Sequence, residues 1–465
     1  MEINLKQNVK IYKSDVMTPI SLYLKFIGDN EGILLESAEV DGRLGRYSLL
    51  AWDFRFLLKC LNGKLDVNII DPQFSFLNKY KGMDYFDALK QIINIINIES
   101  DNNRLPSITR SLIGYFGYEC ISLMESILKK CIDEKDAESI LVFPGKQILY
   151  DHLHLRCYYI SLDESKLEEN SSNYLNTQIK IGDINNSFTK DLFCHAVQKT
   201  KDLIYKGEAI QVVLSNRFST EFSGNPFVIY RRLRQENPSP YMFYLKLLQI
   251  TLIGSSPELM VRGFKGNLEV RPIAGTRPRG RTEDEDKKLA EELINDPKER
   301  AEHVMLVDLG RNDLGRIAKG GSVKVEKFME IEKFSHVMHL TSYVSAKLKE
   351  GFDAIDILKA TFPAGTVSGA PKIRAMEIIS EMEPIPRGPY AGAIGWIGLG
   401  KDKKDIDTGI IIRSLWIKED KVYWQAGAGI VFDSIPEKEW EECHNKAKVI
   451  LKVLQENGGH DAFIN

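Results

Sequence analysis

Two glutamate pairs, far apart in the chain, share a spacing that could do chemistry. Glu299 and Glu302 lie in DPKERAEHVM, and Glu439 and Glu442 lie in PEKEWEECHNKAK. Each pair is spaced i, i+3 and follows a proline, Pro297 or Pro436, placed as in the first turn of a helix. Residues three apart share a helix face, so each segment would present two carboxylates in one direction. If the two faces meet, four carboxylates converge; two such charges about 4 Å apart repel by roughly 4 kcal/mol at an effective dielectric of about 20. Such a cluster needs a hard cation, and oxygen-only ligation suits magnesium. Either pair alone reads better as a solvated helix face, so the metal reading depends on the motifs around it.

Other segments suit anions and proton transfer. In FPAGTVSGAPKIRAMEIISEME, Ser368 is expected to cap a helix with Pro371 in its first turn, leaving backbone N–H groups suited to an anion. GTVSGAPK lacks the Lys-Ser/Thr pair of a phosphate loop. The glycines of QAGAGIVFD let either a ligand or a second sheet approach the backbone. RPIAGTRPRG, Arg271 to Gly280, joins a strand end to three arginines. SHVMHL holds His336 and His339; with no third ligand nearby, a histidine acting as general acid or base fits better than zinc. Arg413 in IIIRS interrupts an apolar strand, so its fork should reach solvent or meet an anion such as a carboxylate. Together these groups suit a small dianionic substrate.

The elements that must position them read as follows. FRFLLKC and KLDVNII form a hairpin about Asn62-Gly63, and HLHLRCYYISL reads as a strand. The polar stretch from Asp163 to Asn186 is the best candidate for a mobile connection. KDLFCHAVQKTKDLIYKG is a helix ending at Gly207. ITLIGSSPELMVRGFKGNLEVRPIAGT reads as strands, and TEDEDKKLAEELIN as a helix capped by Thr282. AGAIGWIGLG, TGIIIRSLWI and KVYWQAGAGIVFDS read as three strands before a terminal helix starting near Ser434 and Pro436. Runs of strands separated by runs of helices favour α+β with antiparallel sheets. The 465 residues, 43% hydrophobic and 27% charged, can bury a large core. A net charge of −3 gives no basic field for nucleic acid, and no run of about eighteen apolar residues suggests a membrane span. Six scattered cysteines without CxxC spacing read as reduced thiols of a cytoplasmic protein.

Taken together the motifs resemble the chorismate-utilising enzymes, and within them the anthranilate synthase component I branch. The strings that carry the likeness are RPIAGTRPRG, ERAEHVMLVDLGRNDLGR, FSHVMHLTSYV, FPAGTVSGAPKIRAMEII, RGPYAGAIGW, TGIIIRS and QAGAGIVFDSIPEKEWEECHNKAK, dense over 190–455. LLES (34–37), RYS (46–48) and GYFGYE (114–119) match more loosely. The resemblance implies two large antiparallel β-sheets packed as a sandwich with helices outside. It implies an N-terminal region over 1–185 and a chorismate-binding catalytic region over 186–460. By the same resemblance, Glu302 and Glu442 are direct Mg2+ ligands, with Glu299 and Glu439 acting through water. Gly275, Thr276, Tyr390, Arg413, Gly427, Ala428, Gly429 and Lys446 hold the substrate, while His339, with Thr366 beside it, assists departure of the ring hydroxyl.

The implied activity is that of a magnesium-dependent lyase making anthranilate and pyruvate from chorismate and ammonia, in tryptophan biosynthesis. Ala274 and Gln211 stand where other branches carry lysines, which favours direct ammonia attack at C2. Aminodeoxychorismate synthase of folate biosynthesis is the alternative, and a non-catalytic tryptophan-binding regulator is a second. The chain carries no GxCxGxQ signature, so a separate glutamine amidotransferase subunit, in a heterotetramer, is the implied ammonia source. Glu36, Ser37, Asn237, Pro238, Pro240 and Met242 resemble a tryptophan feedback pocket that acts allosterically.

Overall fold

Strand Ile250–Ser256 is buried along its whole length because both of its faces are covered. Leu252 enters one core and the adjacent Ile253 another, following the period-two alternation of a strand. The first core is shared by two layers of strands. The second lies against helices Pro19–Phe26, Pro226–Glu236 and Pro436–Gln455, which contribute Tyr23, Phe227, Tyr230, Ala447 and Ile450. These are features of a computed structural model that describes residues 3–37, 45–102, 104–170, 178–333 and 337–455.

In hydrogen-bonded order, one layer runs Gln211–Gly224, Lys421–Ile430, Ser414–Lys418, Ile250–Ser256, Tyr241–Leu247, Gly32–Glu36 and Tyr47–Leu61. The other runs Ser111–Phe116, Ala393–Gly398, Ile406–Ile410, Leu259–Phe264, Asn267–Val270, Val337–Lys347 and Ile273–Pro278. All of these pairings are antiparallel. The long strands Tyr47–Leu61 and Ser139–Asp151 pair with each other, and the second continues onto Ser111–Phe116. The two expected antiparallel layers with outer helices are therefore present, joined into one continuous sheet that folds over. Strands from the first 185 residues pair directly with later ones: Gly32–Glu36 with Tyr241–Leu247, and Ser111–Phe116 with Ala393–Gly398.

Local expectations meet mixed outcomes. Asn62 and Gly63 both take left-handed φ (51° and 72°), as a two-residue hairpin turn of matching twist requires. Helices Lys190–Tyr205 and Glu283–Asn295 form, capped by Thr189 and Thr282. The strand read in HLHLRCYYISL shortens to Arg156–Ser161. Part of the polar connection is ordered, since Ile179–Ile181 pairs with Phe222–Gly224; residues 171–177, like His336, lie outside the described residues.

Ser368 does not cap the helix after it. It ends the short helix Gly365–Ser368 and bonds back to the Ala364 carbonyl at 2.9 Å. Gly369 and Ala370 then pair with strand Gln211–Gly224, so helix Lys372–Met382 starts later, with Pro371 at its N-cap. TGIIIRSLWI is two strands, not one. Ile406–Ile410 belongs to one layer and Ser414–Lys418 to the other, with Arg413 (φ 51°) at the crossover. No helix among the described residues is long and apolar enough to cross a membrane.

Candidate active site

The first acidic helix, Pro297–Gly315, is fixed at its start by Asp296, whose carboxylate accepts from the backbone N–H of Lys298 (3.0 Å) and Glu299 (3.3 Å). Buried His303 anchors it to the sheet through Ser342 Oγ at 2.7 Å. The terminal helix, Pro436–Gln455, is held by Ala447, Ile450 and Val453 in the outer core. Gln211 links the surroundings of the two. Its Nε2 donates to Glu302 Oε1 at 3.1 Å, and its side chain fills the space over Gly429, where a Cβ would stand 2.6 Å from Nε2. Lys446 of the terminal helix donates to the Gly427 carbonyl at 3.0 Å and pairs with Glu442 at 2.7 Å. Lys298, beside Glu299, acts electrostatically on Glu439. Both glutamate pairs thus border one region, at the strand pair Gln211–Gly224 and Lys421–Ile430.

Burial raises the Glu299 and Glu439 carboxyls above the ordinary glutamate range, and the like charge of Glu302 or Glu442 adds to it against neighbouring donors. An oxygen-only, mutually repelling donor set has the chemistry of a hard-cation site. Each carboxylate nonetheless has a protein partner: Arg277 at 3.3 Å for Glu299, Gln211 for Glu302, Ser434 for Glu439 and Lys446 for Glu442. Among the described residues no three His, Cys, Asp or Glu side chains gather closely enough to hold an ion.

On the other layer, a bulge at Gly275 (φ 64°) sets Thr276 opposite His339. His339 Nδ1 lies 2.9 Å from the Gly275 carbonyl and 3.1 Å from Thr276 Oγ1. A carbonyl oxygen can only accept, so Nδ1 carries the hydrogen and Nε2 keeps its lone pair. Burial lowers the imidazole pKa, with Arg413 and Arg271 reinforcing this against the Gly275 carbonyl, so the ring is neutral at pH 7. Gly275→Ala is expected to cost about 1–3 kcal/mol, because a non-glycine residue is strained at this φ. The added Cβ would also stand 2.8 Å from Leu293 Cδ1. An unaltered urea midpoint would contradict the strain.

Arg413 is half-buried at the crossover between layers, its carbonyl held by the Ser255 N–H at 3.1 Å. Desolvation lowers its pKa; the one opposing influence is Tyr390, and no carboxylate pairs with it among the described residues. The Tyr390 hydroxyl lies 2.9 Å from where a Gly427 Cβ would be, so Gly427 presents backbone without a side chain beside it, on the strand that continues through Ala428 and Gly429. Buried Arg387 fixes this floor: it lies under the Tyr390 ring, forks onto Glu383, and donates to the Val213 and Val367 carbonyls at 2.7 and 2.8 Å.

Two members of the site were not singled out from sequence: Arg387 and Glu258. Glu258 sits in the turn between Ile250–Ser256 and Leu259–Phe264. Desolvation pushes its carboxyl up to about 7, against the Thr366 hydroxyl and Lys446. Thr366 Oγ1 is buried near it without a well-formed hydrogen bond. The available signal was a lone acidic residue in SSPEL between two apolar runs.

The Glu36 group forms a second cluster. Buried Glu36 accepts from Tyr230 Oη (2.6 Å) and Arg234 Nε (3.0 Å) and lies opposite Met242 in the sheet. Asn237 Nδ2 reaches the Ser255 carbonyl and hydroxyl at 3.4 Å, with Pro238 and Pro240 in the turn that follows. Ser37 Oγ is buried without a partner. Ser255, which also holds Arg413, is the one-residue bridge between this cluster and the first.

A family model described as chorismate binding enzyme matches residues 61–452. The chain belongs to the chorismate-binding enzyme family. Anthranilate synthase component 1 of Aquifex aeolicus is 45% identical over 95% of this chain and 93% of that protein. The protein of the same name from Acetivibrio thermocellus is 40% identical over 96% and 94%. The crystal structure of anthranilate synthase component I from Streptococcus pneumoniae matches at a TM-score of 0.72 and 36% identity, covering 95% of this chain and 99% of that one. The family match spans both acidic helices, the His339 strand and the Arg413 crossover.

Proposed function

We propose that this member of the chorismate-binding family is a magnesium-dependent lyase, the large subunit of an anthranilate synthase, acting in tryptophan biosynthesis. The carrying observation is Arg413: a desolvated guanidinium with no carboxylate partner among the described residues, on the same site as neutral His339 and Tyr390. A substrate carboxylate satisfies that fork, with Tyr390, Lys446, Thr276 and the backbone of Gly275 and Gly427 to Gly429 holding the rest of chorismate.

Ammonia adds at C2 as the C4 hydroxyl leaves with its bonding pair. Glu258, whose carboxyl burial pushes up to about 7, supplies the proton that lets it depart as water. His339 Nε2 accepts the hydrogen of that hydroxyl and orients it. The aminodeoxyisochorismate formed then loses the C2 proton and pyruvate to give anthranilate. Magnesium, when bound, supplies Lewis-acid polarisation and a template for the ring carboxylate. Glu302 and Glu442 would hold it directly, with Glu299 and Glu439 acting through water. A glutamine amidotransferase subunit supplies ammonia in the assembly, and tryptophan is the effector of the Glu36 cluster.

Chorismate, ammonium and magnesium are expected to yield anthranilate fluorescence that a chelator removes. Glu302→Ala should cut turnover by about 10²-fold or more while leaving the circular dichroism unchanged. Near-normal turnover in that variant would refute its role, and absence of anthranilate from the unaltered chain would refute the reaction.

A further inference from the structure

A cavity of about 40 Å³ adjoins the candidate site, bounded by Glu258, Thr366, Met260, Val270, Leu309 and Asp313 among others. That space holds about three water-sized molecules. Its walls are largely aliphatic; of its charged members, Asp313 is paired with Lys372 at 2.7 Å and Arg271 with Glu332, which leaves the Glu258 carboxyl. Moving an ammonium ion into such surroundings is costly, whereas neutral ammonia enters far more cheaply. Thr366 Oγ1, buried beside the Glu258 carboxyl without a well-formed hydrogen bond, offers both a donor and acceptor lone pairs.

We infer that this cavity is the station from which ammonia reaches the substrate. The inference rests on the proposed reaction and adds the binding place of its second substrate. Ammonium arriving at Glu258 transfers one proton to the carboxylate. Neutral ammonia is left beside Thr366 with its lone pair free, and Glu258 is left as the acid that the departing hydroxyl needs. One proton moves from nitrogen to oxygen, and no other bond changes. The same transfer prepares both the nucleophile and the acid.

Filling the cavity should therefore obstruct ammonia selectively. Met260→Phe, assayed in the full chain with ammonium as nitrogen source, is expected to raise the ammonium KM by about tenfold or more and to leave the chorismate KM within about twofold. General damage to the fold would instead change kcat or both KM values. If Met260→Phe does not fold, Val270→Leu, one methylene larger, decides with the same pair of measurements. An unaltered ammonium KM in a folded, filled variant overturns the inference and leaves the reaction standing. Absence of product from the unaltered chain removes both.

Discussion

Glu258→Gln is expected to lower kcat for anthranilate formation by about 10²- to 10⁴-fold, the usual contribution of one positioned proton donor. Gln keeps the shape of the side chain and removes the ionisation. The pH behaviour of the unaltered chain follows from two shifts. With neutral ammonia as nucleophile, which cannot reload the carboxylate, activity falls as pH rises through about 7, where desolvated Glu258 loses its proton. On the acid side it falls as His339 gains one, below the ordinary histidine value because burial lowers that pKa. Stability falls over the same rise in pH. A carboxyl whose folded pKa is raised costs stability once pH exceeds its unfolded value, and the cost is complete above about 7. Glu258→Gln should thus be as stable as the parent below about pH 4 and more stable at pH 8. A variant that kept full turnover would remove Glu258 from the chemistry.

The second large effect is expected at Arg413. Hydrogen bonds to charged groups contribute about 1.5–3 kcal/mol each, so losing a two-pronged contact to a carboxylate should reduce kcat/KM for chorismate by about 10²-fold or more. Arg413→Gln keeps a long polar side chain at the same left-handed backbone position, so the fold is preserved. Arg413→Lys should recover part of the loss, since a lysine keeps the charge and lacks the fork. Steady-state kinetics at varied chorismate would show the change in KM. Equal kcat/KM in the parent and the Gln variant would place the substrate carboxylate elsewhere.

Much of this site was legible because its chemistry sits in short, regular stretches. The i, i+3 glutamates and the prolines before them read directly as two helix starts. What could not be read was long-range placement. The functional identity of Arg413 was visible as a charge inside an apolar run, but not the reason the run tolerates it: the strand breaks there and changes layers. Glu258 was overlooked because turn chemistry explains SSPE by itself; only burial by sequence-distant Thr366 and Lys446 makes its carboxyl unusual. Ser368 was misassigned because capping preference is local, whereas Gly369 and Ala370 are drawn out of a helix by pairing with strand Gln211–Gly224. Likewise the sandwich was expected, but not its continuity through Tyr47–Leu61 and Ser139–Asp151, which depends on strand length and bending.

The interleaving of early and late strands also bears on how the chain comes to be folded. During synthesis Gly32–Glu36 and Ser111–Phe116 emerge long before Tyr241–Leu247 and Ala393–Gly398, the neighbours that complete their pairing. Contacts of such wide sequence separation close slowly, and strands that wait carry unpaired backbone edges prone to association with other chains. The sheet is therefore completed only once the late strands have been made, and cutting the chain between its halves is expected to leave unpaired strand edges on both fragments.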